Sequence, residues 1–322
     1  MWQRHRGLVV AGLALATASV VVIVAVAVYA YVINSRIDRV DVQLHPSRSG
    51  GTTYLILGSD SREGVSAAQR ASVGRVHGAR ADLVLVLRVP DDGSTPRLLS
   101  VPRDLLVLGD DLGLHRLALT RLAGPQATID ALCQSLGIGE DHFVELDLAG
   151  FTKIVDAVGG VDVDLPAATR DTVLQFSFPQ GSNHLDGAGA LSYVRARSLE
   201  QLVGTQWLPV ENQRAEQAQH VLKAVARDAE LSVTDPIGTH RLLWAVSDAL
   251  TVDGNMGLRD LRRLAEQLRR IDLADDVRLP ALEDDRGPIP FAQIQPGAAR
   301  ALARVGSGGP DCRHPALPEA AG

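Results

Sequence analysis

The sequence predicts an α/β domain carried behind one N-terminal transmembrane helix, and three observations predict it. Residues 8–33 are 26 consecutive residues without a charge, and a bilayer core needs about 20 residues of helix. Between residues 52 and 104 lie three short apolar runs, Tyr54–Leu57, Leu83–Val89 and Leu98–Val101. Each is bounded by Gly, Pro, Asp or Ser, the pattern of buried strands. Beyond them, amphipathic helical stretches alternate with further strand-like runs, as in a sheet covered by helices.

The uncharged run exceeds the apolar region of a cleavable signal, which is about 7–15 residues long, so it reads as a retained anchor. Tyr29 and Tyr31 near its end suit an interface. Arg4 and Arg6 before it balance Arg36 and Arg39 after it, so flanking charge does not orient it. The short tail of residues 1–7 favours an N-terminus inside the cytoplasmic membrane. Residues 34–50, ending in HPSRSGG, read as a polar connector. The 322 residues carry a net charge of −6, which gives no reason to expect nucleic-acid binding. Only Lys153 and Lys223 are lysines among 32 basic residues; with abundant Ala, Gly and Val, this suggests GC-rich, actinobacterial-type coding DNA.

PDDGSTP (90–96) contains the Asp92-Gly93 pair of a tight reversal, so the second and third strands run antiparallel. Asp60 and Arg62 follow the first strand, Arg80 and Asp82 open the second, and Arg103 and Asp104 follow the third. If the first strand is also antiparallel to the second, all six charges gather at one sheet edge. They can hold a divalent cation and a multiply charged phosphate together, or simply pair with one another at the surface. Residues 63–79, with Arg70, Arg75 and His77, read as a loop near that edge, either substrate-contacting or a solvated insertion.

Gly124-Pro125 opens a helix that ends at Gly137. DHFVELDLAGFTKIVDAVGGVDVDLP (141–166) reads as strand, helix, a Gly159-Gly160 reversal and strand; its acidic residues read as caps and surface charges. Cys133 lies in an apolar helical pattern and reads as a buried small residue, since its separation from Cys312 fits no disulfide framework. No Cys/His cluster of metal-binding type occurs. A helix over 186–194 releases Arg195 and Arg197. Glu211, Arg214 and Gln217 share one helix face, with Val221, Leu222 and Val225 packing inward. Residues 236–250 and 257–271 read as amphipathic helices, the second with a solvated arginine-rich face. From about 283 the chain is rich in Pro, Gly and Ala and reads as a partly disordered tail.

GSDSR (58–62), RAD (80–82), SVPRD (100–104) and LDGAGALSYVRAR (185–197) together resemble the LytR-CpsA-Psr family over roughly residues 50–280. The resemblance implies a three-layer α-β-α fold with a central mixed sheet over residues 51–280, between the connector and a tail at 281–322. It implies a single-pass membrane protein whose main domain is extracytoplasmic. Such a phosphotransferase moves a glycopolymer phosphate from an undecaprenyl-pyrophosphate carrier to a peptidoglycan hydroxyl. Its partners are thus a polyprenyl-pyrophosphate-linked glycan, the peptidoglycan acceptor and the cytoplasmic membrane. Arg62, Arg80, Arg103, Arg195, Arg197, Arg214 and Gln217 fall where pyrophosphate is bound. Asp60 and Asp82 fall where Mg2+ is held, and Arg103, Asp82, Arg62 and Asp104 where the chemistry occurs. The chain departs from the pattern where Leu83 replaces the usual threonine, where HRLALTRLAGP (115–125) replaces a Lys-Ile-Asn-like stretch, and where Gln217 replaces a second helical arginine. These departures keep open a catalytically weakened lipid-pyrophosphate-binding scaffold. A transcriptional attenuator has no helix-turn-helix signal to support it.

Overall fold

The computed structural model describes residues 2–47, 50–61, 79–109, 113–196, 198–210, 214–232, 235–271, 277–284, 291–306 and 312. Helix α1 (Trp2–Arg36) contains the uncharged run, and its stretch Thr17–Arg36 is long and apolar enough to cross a membrane. The connector expected after it is instead part of the domain. Strand β1 (Asp38–Val40) joins an edge of the main sheet, pairing parallel with β14 (Leu250–Asp253). Val40, Val42 and Leu44 then pack on the core. That alternation with Asp41 and Gln43 is the period of an extended segment with one buried face.

The three predicted strands form as β2 (Gly51–Ser59), β3 (Ala81–Pro90) and β4 (Arg97–Val101), paired antiparallel in chain order. With β7 (His142–Asp147) and β15 (Val277–Arg278) they complete a seven-stranded mixed sheet of order β1-β14-β7-β2-β3-β4-β15. Helices cover both faces, so apolar residues occupy both phases of each central strand. Leu55, Leu57, Val84, Val86, Leu99 and Val101 belong to one cluster, with Ile129, Leu132 and Leu136 from α3 (Pro125–Leu136). Between β4 and α3 the chain makes the hairpin β5 (Leu106–Leu108) and β6 (Leu114–Arg116), then the short α2 (Leu117–Thr120). Tyr54, Leu85, Leu87 and Leu98 face the other way, against Leu261 and Leu264 of α8 (Leu258–Arg269). The arginine-rich face of α8 is solvated as predicted, with Arg262 pairing to Glu266.

A third cluster joins α4 (Leu148–Ala157), the hairpin β8 (Val161–Leu165) and β11 (Gly181–Leu185), α5 (Gly187–Arg195) and α6 (Arg214–Ser232). The Gly159-Gly160 reversal has φ of 92° and 94°. Gly187 starts α5 where an added Cβ would lie 2.4 Å from the Thr152 carbonyl oxygen; only glycine admits that approach. A small sheet is formed by β9 (Thr169–Asp171), β10 (Phe176–Phe178), β12 (Leu199–Val203) and β13 (Gln206–Pro209). Helix α7 (Pro236–Ala249) begins at an Asp235 cap that accepts from Ile237 and Gly238 N–H.

The packed domain continues past residue 280. Strands β16 (Ala281–Asp284) and β17 (Phe291–Ile294) pair antiparallel, and α9 (Ala298–Val305) buries Ala298, Ala301, Leu302 and Val305 in the first cluster. The small residues that read as a tail are what allow this close packing. Cys133 is buried, as expected, but disulfide-bonded to Cys312; a partner 179 residues away leaves no local spacing signal. A bridge closing so long a loop removes about 5 kcal/mol of unfolded-state entropy in the chain-entropy account, and native bridges measure about 2–5. Cys312→Ser in the full chain is expected to lower unfolding free energy by about 2–5 kcal/mol, read from denaturant curves. The same loss should follow reduction of the wild type and be absent on reducing the variant.

Candidate active site

At the end of the sheet where β2 and β4 finish and β3 begins, the charges predicted from strand polarity do gather. The Arg103 guanidinium donates to Asp82 and, through Nε at 3.2 Å, to Asp104; Arg116 Nη1 donates to the other Asp104 oxygen at 3.3 Å. The result is an alternating row, Asp82–Arg103–Asp104–Arg116. Its side chains are only 18–29% exposed, more enclosed than the surface ion pairs of the alternative reading. Burial alone would lower the Arg103 pKa, but Asp82 and Asp104 outweigh it and the net shift is upward. Arg103 is therefore a fixed cation.

Its backbone is fixed too. The Arg103 carbonyl accepts from Ala118 N–H at 2.7 Å and the Asp104 carbonyl from Ala292 N–H at 2.7 Å. Leu105 receives Leu117 N–H at 2.8 Å. Helix α2, just after the turn, and strand β17, far downstream, thus clamp it together. Across the β2–β3 end, the Asp60 and Arg80 backbones are joined by Asp60 N–H to the Arg80 carbonyl, and Asp60 Oδ1 accepts Arg80 N–H at 2.6 Å.

An apolar groove of about 260 Å³ opens beside this row. Ile56, Leu83, Leu85 and Leu146 form its sheet side, and Phe151, Leu191, Val194 and Leu222 its helix side. Leu83, where a threonine was expected, lies opposite Gly58 and makes the wall apolar. The groove's polar lining is confined to Ser59, Asp82, Asp147, Asp171, Arg195 and Ser198. Asp147 caps α4, accepting Gly150 N–H at 2.6 Å, and burial pushes its carboxyl above its usual range.

Asp60, Arg80, Asp82, Arg103 and Asp104 therefore belong to one end of the sheet, and Arg195 enters the groove that Asp82 borders. Arg195 and the Arg80 side chain make no hydrogen bond or ion pair among the described residues, and Arg80 Nε is buried. Among the described residues, these guanidiniums have no carboxylate partner. Arg62, Arg197 and Glu211 lie outside the described residues, as do residues 62–78 of the expected loop. Arg214 begins α6, with its side chain outside them. Sequence reasoning missed Arg116 and Arg121. Arg121 Nε reaches both oxygens of buried Glu145, at 3.1 and 2.9 Å. Both arginines lie in the stretch that lacks the Lys-Ile-Asn pattern, and their number there was the available signal.

Asp60, Asp82 and Ser59 offer oxygen donors only, the set that magnesium prefers. Ser59 Oγ is buried without a hydrogen-bond partner among the described residues. The one group of three soft or nitrogen donors among the described residues is His45, Cys133 and Cys312. Its sulfurs are consumed by the disulfide.

Comparison with known proteins adds the following. The LytR_cpsA_psr family profile matches residues 22–280. A probable cell wall biosynthesis protein, LcpB of Corynebacterium glutamicum, is 33% identical over 171 residues, covering 51% of this chain and 41% of LcpB. A polyisoprenyl-teichoic acid–peptidoglycan teichoic acid transferase, TagU of Halalkalibacterium halodurans, is 35% identical over 166 residues, covering 50% of this chain and 49% of TagU. The matched stretch is thus less than half of either relative. Among solved structures, a LytR-Csp2A-Psr enzyme from Actinomyces oris is similar at 30% identity and a TM-score of 0.67, covering 84% of this chain and 96% of that one.

Gln217 stands where a second helical arginine was expected and is 2% exposed. Neither its Nε2 nor its Oε1 has a partner among the described residues. A buried polar group left unpaired costs about 1–3 kcal/mol. Gln217→Leu is therefore expected to raise unfolding free energy by about 1 kcal/mol, seen as a higher denaturant midpoint at unchanged slope. A lower midpoint would show the amide to be satisfied.

Proposed function

Because this chain belongs to the LytR-CpsA-Psr family, we propose that it transfers a glycopolymer phosphate from a polyprenyl-pyrophosphate carrier to a hydroxyl of the cell wall. The observation that carries this reading is the junction of an apolar groove with a row of fixed and open guanidiniums. A polyprenyl-pyrophosphate has this polarity, a long apolar tail ending in concentrated negative charge. The tail would lie along Ile56, Leu85, Leu146, Phe151 and Leu222, driven by removal of apolar surface from water. The pyrophosphate would meet Arg103, Arg80 and Arg195, with Arg62, Arg197 and Arg214 as further proposed donors. Guanidinium forks suit phosphate oxygens better than ammonium groups.

In the reaction, the acceptor hydroxyl oxygen bonds to the phosphorus next to the glycan. The bond from that phosphorus to the bridging oxygen breaks, and polyprenyl phosphate leaves with the electron pair. The wall gains a phosphodiester. Magnesium, when bound, would neutralise pyrophosphate charge as a Lewis acid, and Asp60 and Asp82, with Ser59, are the residues proposed to hold it. Asp104 and Asp82 are the carboxylates of the row, and Asp104 is engaged at both oxygens by Arg103 and Arg116. Asp82 keeps one oxygen free of that row and borders the groove. A loose phosphoryl-transfer transition state needs little help from a base, so with magnesium on that oxygen of Asp82 the hydroxyl proton would leave late, to solvent.

The chain is anchored by a single apolar helix, and the proposed substrate places its domain outside the cytoplasmic membrane with the N-terminus inside. A C-terminal reporter active only outside should be active; a well-expressed but inactive fusion reverses the orientation. The weakened-binder reading draws on Leu83 and on the unpaired Gln217. Turnover separates it from the enzyme.

Arg103 provides the sharpest test. Its replacement by alanine should lower transfer about a hundredfold to a thousandfold, as loss of one preorganised donor does, while Arg103→Lys recovers part of the rate. Removing the cation also leaves Asp82 part-enclosed and uncompensated, while Asp104 keeps Arg116, so the alanine variant should lose more than the 0–1 kcal/mol typical of exposed pairs. The lysine variant controls for that loss. Wild-type transfer by a folded Arg103→Ala protein would remove the row from the mechanism.

A further inference from the structure

The last turns of α1 belong to the domain. Ile33 is fully buried, and Asn34 Oδ1 accepts Leu258 N–H at 3.4 Å. Tyr29 Oη is hydrogen-bonded to His240 Nδ1 at 2.7 Å. Arg36 pairs with Asp248 and lies 4.0 Å over the Trp244 ring, a cation–π contact. All three of these partners are on α7. The helix that enters the bilayer is therefore docked along one specific helix of the domain.

The exposed positions of α7 are its first residue Pro236 and then Ile237, His240, Arg241, Trp244 and Asp248; the last five, spaced i, i+3, i+4, i+7 and i+11, form a single stripe. Ile237 is 63% exposed and Trp244 38%. Isolated exposed apolar residues are ordinary; what distinguishes these is where α1 holds them. Counted from Leu8, a bilayer core uses about 20 residues and ends next to Tyr29, the residue bonded to α7. The contacts Tyr29–His240 and Arg36–Asp248 run in the same direction along both helices, so α7 rises beside α1 away from the bilayer, and the end of the stripe from Ile237 to Trp244 lies within about one helix diameter, roughly 10 Å, of the bilayer boundary. Its composition fits that level: an indole and an imidazole for the interface, an isoleucine for the acyl boundary, and Arg241 for headgroup phosphates.

We propose that this end of α7, Ile237 to Trp244, seats on the outer membrane–water interface, with phospholipid as its partner. It is a second membrane contact, separate from the α1 span. Helix α7 packs extensively on α4, whose Leu148 and Phe151 line the groove. Seating α7 would therefore fix the groove's height and tilt above the lipid. The proposal rests on α1 being a membrane span, and the test distinguishes failure of either.

The experiment uses the full chain with Trp2→Phe and Trp207→Phe, leaving Trp244 as the sole indole, in vesicles of phosphatidylcholine and phosphatidylglycerol. Emission is compared between ordinary lipids and lipids brominated near the headgroup, and flotation reports anchoring. Trp244 should lose most of its emission in brominated vesicles, and Ile237→Glu, at an exposed site, should restore much of it while the chain still floats. Flotation without quenching would overturn the docking alone. Quenching unchanged by Ile237→Glu would also overturn it, because Trp244 would then sense lipid merely from its place beside α1. A chain that fails to float would overturn the anchor and the docking with it.

Discussion

Leu57 lies opposite Val84, and Val84 opposite Val101. That antiparallel register places the end of β2, the start of β3 and the end of β4 side by side. Because side chains alternate across a strand, a slip of one residue would exchange the two buried faces along its whole length. The apolar clusters on either side of the sheet therefore hold the register, and the register holds Asp60, Arg80, Asp82 and Arg103 at one end. The charged row follows from the core, and no attraction between charges is needed to assemble it.

What the core cannot supply is precision beyond the strand ends. Residues 102–105 leave the sheet; the Pro102 carbonyl accepts Leu105 N–H, and those of 103, 104 and 105 are claimed by N–H groups of residues 118, 292 and 117. A guanidinium on this turn moves little, which matters because electrostatic stabilisation works by preorganisation. Arg116 extends the same logic by holding Asp104, so that Asp104 in turn orients Arg103.

The strands, the main helices and five of the charged site residues were legible in the sequence because their signals are local: short apolar runs, a Pro-opened helix, charges flanking strand ends. The features that escaped have partners far away. Asp38–Val40 becomes a strand only because β14 leaves an edge open more than two hundred residues later. Leu199–Val203 and Gln206–Pro209 needed β9 to complete their sheet. Cys133 offered no spacing to read, and β17 and α9 lay hidden in a segment rich in Gly, Pro and Ala. Arg116 and Arg121 were visible as residues, but their carboxylate partners, Asp104 and Glu145, emerge only with the turn geometry.

The Cys133–Cys312 bridge has a mechanical consequence. Residue 312 is fastened covalently to α3, and β17, which holds the Asp104 carbonyl, lies before it in the chain. Tension on anything joined beyond residue 312 therefore ends at the bridge and is passed into α3. Strand β17 is left slack, and the turn carrying Arg103 is spared the load. In this sense the disulfide acts as a strain relief, much as a clamp on a cable protects the solder joint behind it.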